Sequence, residues 1–381
     1  MPTIQDAIRA LQSNDFPTAR RICAELASAD PHAQYLLGSM ISHGQGGPAD
    51  PATAATHYTQ AAETGHPVAQ YCLGGLYATG RGVPQDRDAA LRWYRLAADG
   101  GYPEAMVHLG RMHASGESGP VDLVEAARWW EKAAAGGSGS AMLLLGRLHA
   151  DGSGGRSHDP GLAAHWFFQA WQAGENEAEQ EIIRGRVALE EAAQGGSASA
   201  QNALGLILCF GHDDPTAAAE VFEYAAAQNQ PESLRMLAYL LSEGRGMPKD
   251  DGRAAGLYRR AAELGDTFAQ FNLAVMIDTT AGGLDRDVSA AIKWFRRAAD
   301  GGMPQANHRL AELLAERNRD RRDANEAIQR LMKVAKDGPP DAEYRIDAGD
   351  GSWAVAMKDR GRLVAMPGLN MDELVGLPDE E

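Results

Sequence analysis

Residues Ala69–Gly101 read AQYCLGGLYATGRGVPQDRDAALRWYRLAADGG, and the same text recurs along most of the chain. Ala33, Ala69, Ala105 and Ala141 open successive copies at a constant interval of 36 residues. A fixed period of this size marks a stack of supersecondary units, each burying its apolar face on the next. In the copy quoted, Ala69, Leu73, Leu76 and Tyr77 fall at spacings of three and four and predict a first helix, A. Gly74 lets a neighbouring helix approach closely. Gly80 suits a left-handed C-terminal cap, Pro84 prevents continuation, and Asp86 or Asp88 can cap a second helix, B. Helix B presents Ala90, Trp93, Tyr94, Ala97 and Ala98 and stops at Gly100 and Gly101.

The landmarks lay out the other copies. The helix-A leucine is Leu37, Leu73, Leu109, Leu145, Leu204, Leu237, Leu273 and Leu310. The helix-B aromatic pair is Trp93-Tyr94, Trp129-Trp130, Trp166-Phe167 and Trp294-Phe295, weakening to His57-Tyr58, Val221-Phe222 and Leu257-Tyr258. Paired alanines such as Ala97-Ala98 and Ala261-Ala262 are small because another helix crosses there. Trp93 is expected to be a buried ring whose truncation to alanine costs about 3–5 kcal/mol.

In order and spacing, the Leu-Gly-x-x-Tyr, Gly-x-Gly-Val-Pro and Trp-Tyr-x-x-Ala-Ala blocks resemble the Sel-like repeat family, relatives of the tetratricopeptide repeat. The resemblance covers about residues 33–342. It implies an all-α fold: a right-handed superhelical solenoid of eight or nine antiparallel helix pairs, with the A helices lining a concave side. It also implies adaptor functions in protein complexes and signalling, and in some secreted relatives binding of cell-wall fragments.

The organisation reads as an N-terminal capping hairpin over 1–32 and a first repeat array over 33–177. Residues 178–200 follow as a truncated irregular repeat or hinge, where the loop between Ile182 and Ala192-Ala193 is missing. A second array spans 201–342 and a C-terminal cap 343–369. Within that cap, 352–358 and 362–366 carry a β-hairpin signal around Asp359-Arg360-Gly361. The last segment, 370–381, is acidic with spaced Leu374, Val375 and Leu377, and reads as a frayed terminus, a self-ligand or a docking arm.

A net charge of −16 argues against non-specific nucleic-acid binding. No apolar run reaches membrane-spanning length, and the start carries no signal-peptide pattern. The three cysteines, Cys23, Cys72 and Cys209, form no Cys-x-x-Cys pair and fit a reducing, bacterial-type cytoplasm. Each glycine loop follows a helix rather than a strand, so none is a phosphate loop. His113 and His149 hold the helix-A position of Tyr77, which points to packing rather than metal ligation. No catalytic motif, metal set or cofactor site emerges. The reading is a non-enzymatic protein-interaction scaffold; a saccharide or small-molecule receptor, or a weak hydrolase on cell-wall fragments, is the alternative.

By analogy with the tetratricopeptide repeat, the positions two before and two after the helix-A leucine face the groove. They include Tyr35, Tyr71, Val107, Leu143, Asn202, Arg235 and Phe271 on one ladder and Ser39, Arg111, Arg147 and Tyr239 on the other. Aromatic and arginine side chains are the usual anchors of binding. In an acidic protein, Arg111 and Arg147 beside Tyr35 and Tyr71 suit an acidic peptide or protein segment.

Overall fold

The computed structural model describes residues 2–117, 119–317, 326, 329–330, 333–334, 343–347, 353–359 and 362–365. It is an all-α solenoid of helix pairs with a small sheet near the C-terminus, and it divides into two compact units, Met1–Glu191 and Ala192–Glu381. No helix among the described residues is long and apolar enough to cross a membrane.

The first unit opens with the hairpin α1 (Ile4–Gln12) and α2 (Phe16–Leu26). Four A/B pairs follow: α3 (Pro31–His43) with α4 (Pro51–Glu63), α5 (Pro67–Thr79) with α6 (Arg87–Asp99), α7 (Pro103–Ser115) with α8 (Leu123–Ala135), and α9 (Gly139–Asp151) with α10 (Pro160–Gln172). A single 19-residue helix, α11 (Asn176–Gln194), stands where another pair would be expected. In the second unit, α12 (Ala198–Leu206) runs into one π-helical turn, Ile207–Gly211, before α13 (Pro215–Ala227). Then come α14 (Pro231–Glu243) with α15 (Asp251–Glu263), α16 (Thr267–Asp278) with α17 (Val288–Asp300), and α18 (Pro304–Arg317). Strands β1 (Glu343–Asp347), β2 (Trp353–Asp359) and β3 (Arg362–Ala365) form an antiparallel sheet in chain order, so the hairpin signal has a third strand before it.

Local chemistry sets each boundary. Every B helix from α4 to α17 begins at an aspartate whose carboxylate accepts a first-turn amide; in the quoted copy this is Asp86, bonded to the Ala89 N–H at 2.9 Å. Gly80 ends α5 with φ +71°, where a side chain would be strained. The second loop glycine has another task. Gly154, with φ +64°, presses on the first turn of α8, where an added methyl would lie 3.0 Å from the Leu123 carbonyl oxygen.

Packing corrects two expectations. In the quoted copy the buried aromatic of helix B is the second of the pair: Tyr94 is 3% exposed, whereas Trp93 is half-buried; only at Trp129-Trp130 are both rings of such a pair buried. A methyl on Gly74 would lie 2.9 Å from the Tyr94 ring, so the Leu-Gly step exists to seat that ring. The large cost expected at Trp93 therefore belongs to Tyr94. The helix-A leucines are buried except Leu204, which is half-buried at the first repeat after α11. In three repeats a buried glutamine one residue after the opening alanine ties the repeat to the helix before it. Gln70, Gln201 and Gln270 donate to the carbonyls of Ala62, Ala193 and Ala262 at 3.0–3.2 Å. These carbonyls, at the end of a preceding helix, also accept the N–H of Gly65, Gly196 and Gly265, so the glutamine supplies a second bond to each.

Candidate functional groove

Position on helix A decides what each ladder residue can do. Tyr35, on α3, is half-buried; its ring stacks on His66 at 5.0 Å and lies 6.2 Å from Tyr58. Ser39 is half-buried on the same helix. His66 caps α5 by accepting the Ala69 N–H on Nδ1, so its Nε2 carries the proton and donates to His32 Nδ1 at 3.1 Å. Burial, aided by His32, holds His66 below the usual imidazole pKa.

One turn along the stack, Tyr71 packs 5.5 Å from Tyr94 and 5.3 Å from Tyr102. His108, on α7, lies 4.2 Å from the Tyr94 ring, and burial lowers its pKa, with Arg111 adding to the effect. Tyr71, Val107, His108 and Arg111 line one cleft of about 440 Å³, which continues over Ser140 and Glu175 at the next repeat. Val107 is buried at its base, whereas Arg111 is exposed and has no ion pair among the described residues. Burial raises the Tyr71 hydroxyl pKa; among the charges around it, Glu104 raises it further and Arg111 opposes.

Arg147 differs from Arg111. It is bound by Glu181 at 2.8 Å and Glu177 at 3.0 Å, both supplied by α11. Leu143 is buried against Phe167 and Ala178. In the second unit, Asn202 is 2% exposed, donates to Glu232 and accepts from Ser233 at 2.7 Å, so both ends of its amide are engaged. Arg235 pairs with Glu232 and Asp266, each at 3.1 Å, and covers the Phe268 ring. Phe271 stands edge-on to Phe295 at 5.5 Å, and Tyr239 is half-buried.

Tyr71, Val107 and Arg111 thus meet in one cleft, while Asn202 and Arg235 are held by their neighbours. Glu104 and Ser140 were not among the expected groove positions, although each lies three residues before a ladder residue and hence one turn along the same helix face. No cluster of three or more metal-ligating side chains occurs among the described residues.

Comparison with known proteins places the repeats. The Sel1 repeat model matches residues 31–66, 67–102, 103–138, 139–175, 198–229, 231–266 and 267–303. Chitin synthase regulatory factor 3 of Schizosaccharomyces pombe is 28% identical over 94 residues, which cover 25% of this chain and only 10% of that relative. A protective antigen of uropathogenic Escherichia coli with an SLR fold is 26% identical; the alignment covers 89% of this chain and 73% of that one, at a TM-score of 0.40. A Sel1 repeat protein from Oxalobacter formigenes is 22% identical, with 78% of this chain and 100% of that one covered, at a TM-score of 0.42. With seven repeat matches spread from residue 31 to residue 303, the chain belongs to the Sel1 repeat family.

Proposed function

We propose that this protein is a non-enzymatic scaffold that captures an extended or helical peptide segment in the groove of its first unit. Sel1 repeat solenoids generally serve as protein-interaction scaffolds rather than catalysts. The observation that carries the reading is the cleft at Tyr71, Val107 and Arg111, where an aromatic wall, an apolar base and an exposed guanidinium converge. A guanidinium without a carboxylate partner among the described residues gains from an external one, and in a protein of net charge −16 it selects for an acidic group on the ligand. The other expected anchors serve less well. Arg147 and Arg235 already carry carboxylate partners, and Asn202 is sealed. The acidic segment 370–381, which the sequence offers as a self-ligand or docking arm, lies outside the described residues.

The test is an array of 15-residue peptides, acidic and neutral, probed with the wild-type chain and with Arg111→Glu. Acidic peptides should be retained by the wild type and lost by the variant, with unchanged circular dichroism. Equal retention by both proteins would remove Arg111 from the interaction and overturn the reading.

A further inference from the structure

Along α7, Glu104, Val107 and Arg111 occupy one helix face, with the two charged residues seven positions and about 10 Å apart. Both are exposed, both line the cleft, and neither has an ion pair among the described residues. At that separation they do not neutralise one another. The next repeat repeats the arrangement at the Glu104 end: Ser140 takes the corresponding position on α9, and its hydroxyl donates to Glu175, which adds a second carboxylate to the same edge. At the Arg111 end the cleft is cationic. Tyr71 lies between these edges and interacts electrostatically with both Glu104 and Arg111.

We infer that the cleft is polarised and takes a peptide segment carrying both signs of charge, with a basic group against Glu104 and Glu175, an apolar residue over Val107 and Tyr71, and an acidic group on Arg111. This rests on the groove reading above and adds the ligand's second charge and its orientation. A purely acidic segment would satisfy Arg111 but would bring like charge against the opposite edge, which opposes binding. In an extended ligand, residues three positions apart span about 10 Å, matching the distance between the two edges. The cleft therefore reads a short acid–apolar–base pattern rather than overall charge.

The probes are four fluorescein-labelled peptides with a central leucine. They differ only in the two flanking charged positions, three residues apart: Asp and Lys, Asp and Asp, Lys and Lys, or Gln and Gln. Fluorescence polarisation at low salt, about 50 mM, keeps exposed charges unscreened. On the wild-type chain the Asp/Lys peptide should bind about three- to fivefold more tightly than Asp/Asp, the scale of one exposed charge pair. Arg111→Glu should shift preference to Lys/Lys, and Glu104→Lys should shift it to Asp/Asp. The double variant Glu104→Arg with Arg111→Glu should restore preference for Asp/Lys, bound in the reverse direction. Both substituted positions, Glu104 and Arg111, carry exposed side chains, so circular dichroism should be unchanged. If Asp/Asp binds the wild type as tightly as Asp/Lys, and Glu104→Lys has no effect, the polarity is wrong while the acidic-groove reading survives. If all four peptides behave alike and Arg111→Glu changes nothing, the groove reading falls and the polarity with it.

Discussion

The A helices of both units carry the same ladder positions, yet the groups there are used differently. In the first unit, Arg111 is exposed without an ion pair among the described residues, and its neighbours Tyr71 and Val107 open onto a cleft. In the second unit, Arg235 is bound by two carboxylates, and Asn202 is buried between Glu232 and Ser233. The contrast extends to the helix contacts. The residue after the helix-A leucine is glycine at Gly38, Gly74, Gly110 and Gly146 in the first unit; in the second it is glycine again at Gly205, against the Phe222 ring, but alanine at Ala238, Ala274 and Ala311. A repeat pattern therefore dictates where a side chain sits in the stack but not whether its hydrogen-bonding capacity is spent internally. That depends on residues about thirty positions away, such as Asp266 opposite Arg235.

The largest expected effect tests the packing common to both units. Tyr94→Ala should lower unfolding stability by about 3–5 kcal/mol, because it empties the space over Gly74. Trp93→Ala should cost clearly less, since that ring is half-buried. Denaturant titration of the two variants checks the order, and a larger loss at Trp93 would reverse the packing assignment. Next, Gly74→Ala should cost about 1–3 kcal/mol by crowding the Tyr94 ring, whereas Ala238→Gly should cost about 1–2 kcal/mol through backbone entropy and the loss of a buried methyl, with no crowding. Equal effects would mean that the two units tolerate helix approach alike.

A third pair addresses the ladders. Arg235→Ala should destabilise by about 1–2 kcal/mol, because Glu232 and Asp266 lose their shared partner. Arg111→Ala should change stability by no more than about 0.5 kcal/mol, as expected for an exposed side chain without an ion pair. Thermal unfolding of both variants separates a structural cation from one available to a ligand.

The smallest effect concerns His66. Burial favours its neutral form, so its folded pKa lies below the unfolded value of 6.5. The associated stability is fully present above about pH 6.5 and is lost as pH falls through the lowered folded value. Protonation also removes the Nδ1 acceptor that caps α5. Amide exchange at Ala69 should therefore accelerate as pH falls below 6.5, relative to the intrinsic rate. His66→Asp, which keeps a cap acceptor that stays ionised down to about pH 4, should abolish that dependence. An unchanged dependence in the variant would place the titrating group elsewhere.

Much of the fold was legible because the repeat writes the same physical instructions many times. Leucine spacing, capping glycines and paired alanines each have one structural use, and recurrence identifies it. The failures came where two readings share one pattern. Trp93-Tyr94 offers two adjacent aromatics to a helix with a narrow buried face, and only the packing against Gly74 selects Tyr94. Leu204 satisfies the leucine spacing, but α11 replaces the helix pair that precedes other repeats, and the side chain stays half-buried. The ladder positions were readable from periodicity, and Tyr71, Val107 and Arg111 do share a cleft. Which arginine carries a carboxylate partner was not readable, because Glu181 lies 34 residues from Arg147. The opposing edge at Glu104 needed only one further turn of helix geometry.

The comparison between the units is tested most directly by hydrogen exchange of the full chain with and without the Asp/Lys peptide. Slowed exchange confined to α5, α7 and the start of α9, with α14 and α16 unaffected, is the expected result. Protection centred on α14 and α16 around Arg235, or none in the first unit when the peptide is bound, would contradict the assignment of ligand capture to the first unit's groove.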